Sequence, residues 1–184
     1  MKKGQFGYIS SMKKKSGLAA LALAVLSVIV YLGGIRLFPG NRTAVGILTV
    51  VFCIPAAMAL VRFIMFMRFS SGKKEIYELT ENNRGNASAF YDAIITTPNK
   101  SYGVNVFIAS GNNLLGYTEY SGSDTALTEK HLKDLYSANK FKELNIKIFV
   151  SRDKFLERLK ALAVKEGNTD FEEKVLHLLG RLTL

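Results

Sequence analysis

The chain of 184 residues has one cysteine, three prolines and no tryptophan. The single cysteine, Cys53, excludes an internal disulfide and a cysteine-ligated metal cluster. The two histidines, His131 and His177, are too far apart in sequence to form a local ligand pair. Acidic residues are missing from the first 74 positions. Of the 25 Lys and Arg residues, 11 fall in that stretch; the other 14 share residues 75–184 with all 15 acidic ones. The net charge of +10 therefore belongs to the N-terminal part, and the remainder is close to neutral. A DNA-binding domain concentrates positive charge on its folded part. This distribution leaves nucleic acid out of the expected partners.

Charge is also missing from residues 18–35 and 43–61, which are almost wholly apolar. A bilayer core needs about 20 apolar helical residues, and about 17 suffice. The two runs are joined by Arg36-Leu37-Phe38-Pro39-Gly40-Asn41-Arg42, a link short enough to demand a tight helical hairpin. The expected organisation is a basic leader at 1–17, a two-helix transmembrane hairpin at 18–69 (helices about 18–38 and 43–67) and an α/β domain at 70–184.

The leader holds Lys2, Lys3, Lys13, Lys14 and Lys15; the piece between them, Gly4-Gln5-Phe6-Gly7-Tyr8-Ile9, reads as an irregular or interfacial arm. A signal peptide also begins basic and turns apolar. Here the first run exceeds a signal h-region and no Ala-x-Ala site follows, so an uncleaved helix is expected. After the second run come Arg62, Arg68, Lys73 and Lys74, whereas the link carries only Arg36 and Arg42. Basic residues mark cytoplasmic flanks. Both termini, and the domain with them, are expected in the cytoplasm, the protein being multi-pass. Lys13-Lys14-Lys15 also suits anionic lipid.

Neither apolar run contains an acidic, His, Asn or Gln side chain. Transport and proton paths need such groups within the membrane, so the hairpin reads as an anchor. Pro55 is expected to kink the second helix unless its neighbours satisfy the freed carbonyl. Small residues recur at Ser16, Ala20, Ala24 and Ser27, and at Cys53, Ala56, Ala57 and Ala59. They suit close packing within the hairpin or in a homo-oligomer. The ordinary abundance of alanine in such helices stands beside that reading.

From residue 70 the pattern changes. A helix is expected over 73–82, then strands over 88–97, 102–109 and 114–120, parted by turn residues. Tyr102, Val104, Val106 and Ile108 should share one strand face. Ser121, Ser123 and Asp124 offer caps for a helix over 127–140. A strand follows at 145–150, then a helix capped by Ser151 and ended at Gly167. Thr169 and Glu172 match a capping box for a last helix. The fold class is an N-terminal transmembrane α-hairpin plus a small α/β (α+β) domain, order α-βββ-α-β-α-α, with a mostly antiparallel sheet.

The αβββαβ order resembles the core of the restriction-endonuclease-like fold. Those enzymes place an Asp on one strand and Glu-x-Lys on the next to hold Mg²⁺. Asp92 falls on the first expected strand and Glu119 on the third, but no expected strand carries Glu-x-Lys. The reading is that topology without its active site. Ser110-Gly111-Asn112-Asn113 joins two strands, so it is not a phosphate cradle, which requires a strand-to-helix turn. His131 and Asp134 form an i, i+3 pair better suited to a helix surface than to a metal. Tyr117, Tyr120 and Tyr136 suit a recognition surface or, more commonly, core packing.

Residues 1–9 (Met-Lys-Lys-Gly-Gln-Phe-Gly-Tyr-Ile), Ile54-Pro55-Ala56-Ala57, and Ile146-Lys147-Ile148-Phe149-Val150 with Phe155-Leu156 resemble an uncharacterised family of small two-helix membrane proteins from low-GC Gram-positive bacteria. Some of its members are labelled O-linked GlcNAc transferase-like. The resemblance implies a protein of a bacterial cytoplasmic membrane and carries over no site residue. The leading expectation is a membrane-anchored cytoplasmic interaction or regulatory module without catalytic activity. It needs no metal or cofactor, and its partners are the lipid bilayer and another protein. Two alternatives stay open: an enzyme, transferase-like or of a degenerate nuclease-like fold, and a subunit of a larger membrane complex.

Overall fold

The computed structural model describes residues 2–98, 100–120, 122, 124–163 and 169–184. It divides into two units. One is Ile9–Ser70; the other joins the residues up to Tyr8 with Ser71–Leu184.

The first unit is a pair of helices, α1 (Tyr8–Leu37) and α2 (Arg42–Met67). Both are long and apolar enough to cross a membrane. The expected start of the first helix near residue 18 is corrected: α1 begins ten residues earlier, so Lys13, Lys14 and Lys15 are helical, and of the expected arm at 4–9 only Gly4–Gly7 is irregular. Gly7, at φ +84, ends the irregular piece. Between Tyr8 and Ser16 no glycine or proline intervenes, and lysine is a good helix former. Buried Ser16 and Ser27 return their hydroxyls to Met12 O (2.6 Å) and Leu23 O (2.9 Å). Such back-bonding satisfies a hydroxyl where water is absent. A Cβ at Gly34 would meet Val45 at 2.6 Å, and one at Gly17 would meet Phe63 at 3.0 Å. Glycine thus sets two points of close approach. Ala20, Ala24, Ala56 and Ala57 line an apolar groove of about 510 Å³, whereas Cys53 is exposed. Helix α2 continues through Pro55.

The second unit is a four-stranded mixed sheet with helices on both faces. Its elements are α3 (Lys74–Asn83), β1 (Ser88–Thr96), β2 (Ser101–Ser110), β3 (Asn113–Tyr117), α4 (Thr125–Ala138), β4 (Asn145–Phe149), α5 (Arg152–Ala163) and α6 (Thr169–Leu182). The sheet order is β1-β2-β3-β4. The first two pairings are antiparallel and β3–β4 is parallel. The parallel step follows from α4, because parallel strands need a crossover. Asp124 caps α4, its Oδ1 accepting from Leu127 N at 2.9 Å. The expectations for Ser121, Ser123, Gly167 and the Thr169 side chain lie outside the described residues.

One face packs Phe107, Leu114, Leu132, Tyr136, Ile148, Val175 and Leu179 between the sheet, α4 and α6. The other packs Ile76, Val106, Ile108, Leu115, Phe155 and Leu159 beneath α3 and α5. Tyr117 and Tyr136 are core residues, not a recognition surface. Tyr117 packs on Phe155, and Tyr136 donates its hydroxyl to Val175 O at 2.9 Å. Burial raises the Tyr136 phenol above its ordinary pKa. Burial raises that of Tyr117 too, helped by the charge of Glu119.

The period-2 alternation of β1 and β2 shifts by one residue midway. Phe90, Ala93 and Ile95 belong to the first face, and Tyr91 to the second. On β2, Val104 belongs to the first face, whereas Val106 and Ile108 belong to the second. The expected common face for Tyr102, Val104, Val106 and Ile108 is therefore corrected. The shift occurs at Asp92, a non-glycine residue at φ +54. It lies between the paired positions Tyr91↔Val106 and Ala93↔Val104. Both faces are covered and both parities are apolar, so the sequence pattern gives no sign of a phase change.

The capping-box expectation is also corrected. Glu172 is buried at 1% exposure, and its Oε1 accepts from Gly111 N at 2.8 Å. Its carboxylate secures the β2–β3 turn, where Gly111 has φ +53. Free strand edges invite unwanted pairing, and both edges are managed here. On β4, Glu129 of α4 accepts from Ile148 N at 2.8 Å and pairs with Lys147. On β1, the two chain ends cover the edge at two points and leave the stretch around Ala89 open. Gly4 bridges Tyr91, and Thr183 bridges Ile95.

Candidate functional site

Residues 2–6 form a short strap along the outer edge of β1. Lys2 N donates to Gln5 Oε1 at 2.9 Å, which closes a turn. Gly4 O accepts from Tyr91 N at 2.9 Å. Lys3 Nζ reaches Thr183 O at 2.9 Å and Gly180 O at 3.4 Å. An ammonium at the carbonyl end of α6 is favoured by the helix dipole. Phe6 stacks on Tyr77, with ring centroids 4.6 Å apart, and meets Tyr91 edge-on at 6.4 Å. Tyr77 and Tyr91 touch at 5.1 Å.

Gly4 is required at its position twice over. Its φ of +84 disfavours a side chain, and a Cβ would lie 2.7 Å from the Phe90 ring. Left-handed backbone costs an L-residue about 1–2 kcal/mol. Gly4→Ala is therefore expected to loosen the strap and speed hydrogen exchange at the Tyr91 amide by about tenfold. Unchanged exchange at Tyr91 would contradict the docked strap.

Beside the strap lies a groove of about 720 Å³. Tyr77, Glu81 and Arg84 of α3 border one side, and Glu173 and Leu176 of α6 the other. Ser88 and Ala89 of β1 lie between them, with Gly4, Gln5 and Phe6 at the strap. Pockets of 300–1,000 Å³ with a few convergent polar groups are the usual ligand sites.

The polar centre of the groove is internally bonded. Tyr91 donates its hydroxyl to Glu81 Oε1 at 2.5 Å. Arg84 pairs with Glu81 Oε2 at 2.9 Å and donates to Ala87 O at 2.6 Å. Burial works to raise the pKa of Glu81, but the bonds from Tyr91 and Arg84 outweigh it and hold the carboxyl below its ordinary value. Burial raises the Tyr91 phenol, and the Glu81 carboxylate raises it further. A depressed carboxyl stabilises the fold above its unfolded pKa, and that contribution is lost as pH falls through the folded value. The stability difference between the wild type and Glu81→Gln should be largest near neutrality and shrink below about pH 4. Denaturant titrations at several pH values test this; a difference that grows on acidification would refute the assignment.

The two carboxylates considered for a metal are engaged otherwise. Asp92 is in β1 at 3% exposure, and its Oδ1 accepts from Gly72 N at 3.3 Å. Glu119 lies beyond the end of β3. It accepts from Lys73 N at 3.4 Å and pairs with Lys73 Nζ at 3.5 Å. Buried Asn105 accepts from Glu119 N at 2.7 Å. This nest ties residues 72–73, where the chain enters α3, to the sheet. Among the described residues no group of three His, Cys, Asp or Glu could hold a metal. His131 is half-buried, and Asp134 and His177 are exposed.

The basic residues read from the sequence fall into two groups. Lys3, Lys73 and Lys74 have structural partners, Lys74 pairing with Glu78 at 3.1 Å. Lys13, Lys14 and Lys15 lie on α1, Arg62 on α2 and Arg68 at its C-terminal cap. Lys2 is exposed. The sequence does not mark Phe6, Tyr77, Glu81, Arg84, Tyr91 and Glu173 as a site. The only local sign was Phe6 between Gly4 and Gly7, and nothing in that spacing names Tyr91 as its neighbour.

Comparison with known protein families, curated proteins and solved structures finds no match for this chain.

Proposed function

We propose that this protein is a membrane-anchored interaction or regulatory module, with the α/β unit and both chain ends on the cytoplasmic side of a bacterial membrane. One observation carries the reading. The strap, on the N-terminal side of the hairpin, is built into the same unit as Ser71–Leu184, which follows it. Two crossings return the chain to its starting side, whereas one would leave strap and sheet apart. The charge bias selects the cytoplasmic side. Neither helix supplies a membrane-buried acid or amide for transport. In the soluble unit, Asp92 and Glu119 bind backbone amides, and Glu81 binds Tyr91 and Arg84. These engagements favour recognition over catalysis. The run α3-β1-β2-β3-α4-β4, with β4 parallel to β3, supports a restriction-endonuclease-like topology stripped of its metal site.

Reporter fusion after Leu184 tests the topology. A reporter active only in the cytoplasm is expected, and activity outside the membrane would overturn the orientation. Crosslinking and affinity capture of the full chain from membranes tests the module reading. A specific partner retained by the wild type and reduced by Gly4→Ala is expected; no reproducible partner would count against it.

A further inference from the structure

The uncovered part of the β1 edge has the features of a peptide-binding groove. In an antiparallel strand, residues two apart present their amide and carbonyl to the same side. Tyr91 turns its N–H outward to Gly4 O. Ala89 therefore also turns its N–H and C=O outward, away from its β2 neighbour Ile108. The strap does not continue the pairing, because Gly7 at φ +84 diverts the chain into α1. Ala89 thus lies in the groove between α3 and α6 with its outer donor and acceptor unmatched among the described residues.

Three features define the occupant. A donor and acceptor on one strand residue match the main chain of an extended peptide, as in strand addition to a sheet edge. The joined rings of Phe6, Tyr77 and Tyr91 offer an apolar wall to one side chain. At 4.6 to 6.4 Å apart they pack on one another and leave no room for a cation between them. Charge selection falls instead to Glu173, which is exposed and has no ion pair among the described residues. Arg84 is already neutralised by Glu81.

We propose that this groove binds an extended segment of a partner protein by strand addition at Ala89. The segment presents an apolar or aromatic side chain to Phe6, Tyr77 and Tyr91, and a basic one to Glu173. The inference rests on the interaction-module reading and names its recognition surface. The strap forms one end of the groove, so peptide binding and strap docking favour each other through linkage.

The test uses the full-length protein in lipid nanodiscs and the probe fluorescein-aminohexanoyl-Lys-Val-Phe-Val-amide, its lysine left free, followed by anisotropy. Saturable binding is expected. The same peptide methylated on its backbone nitrogens should bind at least about tenfold more weakly, having lost its main-chain donors. Ala89→Pro removes only an outward N–H at an edge, where proline is tolerated. It should weaken binding about tenfold with an unchanged melting temperature. Glu173→Lys, at an exposed position, should weaken it several-fold and provides a second variant if Ala89→Pro disturbs the fold. Equal binding of the methylated peptide, indifference to Glu173→Lys, or no saturable binding up to about 1 mM would overturn the proposal. A cytoplasmic reporter and a captured partner alongside such a failure would leave the module reading intact and remove only the groove.

Discussion

Phe107→Ala is expected to destabilise the α/β unit by about 3–5 kcal/mol, the usual range for removing a buried aromatic side chain. Phe107 is fully buried at the centre of β2, opposite Phe90 on β1 and Gly116 on β3. A Cβ at Gly116 would lie 2.9 Å from the Phe107 ring. The ring therefore occupies the space that glycine leaves on the neighbouring strand. Sheet neighbours on both sides hold the backbone in register, so the site has little freedom to collapse around an alanine. A domain is stable by only about 5–15 kcal/mol in total, so the variant should unfold in far less denaturant. Urea titration of the full chain in mild detergent, followed by near-ultraviolet circular dichroism, measures the shift. Val150→Ala is the control, since Val150 is 52% exposed and should shift by no more than about 0.5 kcal/mol. A loss below about 1 kcal/mol for Phe107→Ala would contradict the packing described.

The second large effect concerns the membrane. Val51 lies in α2 at 58% exposure, and Ile47, Ile54 and Met58 on the same helix are also exposed. In water, replacing an exposed valine by aspartate would be close to neutral and would aid solubility. In a bilayer, a carboxylate near the middle of a spanning helix costs about 2.5–3.5 kcal/mol of insertion. Val51→Asp is therefore expected to shift the chain from the alkali-resistant membrane pellet toward the soluble or degraded fraction. Val51→Leu should stay in the pellet. Val51→Asp partitioning as wild type would remove the support for a spanning α2.

Much of the fold is legible from local chemistry. Pro98, the Gly111-Asn112-Asn113 turn and the polar stretch after Tyr120 separate segments whose composition already distinguishes strand from helix. The strand and helix bounds of the α/β unit consequently agree with the structure to within a few residues, whereas the start of α1 lies ten residues before its apolar run. The start of α1 at Tyr8 is not legible because the lysines at 13–15 have no apolar period, although they propagate a helix well. The exchange of Glu172 from its own helix to the Gly111 turn was invisible for another reason. A capping box and a long-range carboxylate contact use the same residue type, and sequence spacing records only the local choice.

The groove was the least legible part. Gly4 and Tyr91 are far apart in sequence, and no periodic pattern links them. Glu81 and Arg84 look like an ordinary charged pair on an amphipathic helix. They become part of a site only because α3 lies at the edge of β1 and the strap places Phe6 over Tyr77. The Asp92–Asn105 level of the sheet is similar. Asp92 invited a metal reading as an isolated carboxylate, and the structure engages it with the Gly72 amide.

The sequence by itself determined the two apolar helices, the basic bias of their flanks and the order of the elements that follow. Those features depend on hydrophobicity, charge and turn chemistry acting within a few residues. Only the tertiary structure decided what covers the β1 edge, where the strand phase shifts, and which side chains meet around the groove. Each of these depends on backbone pairing and packing between distant segments, and a short-range sequence pattern does not record which segments will meet.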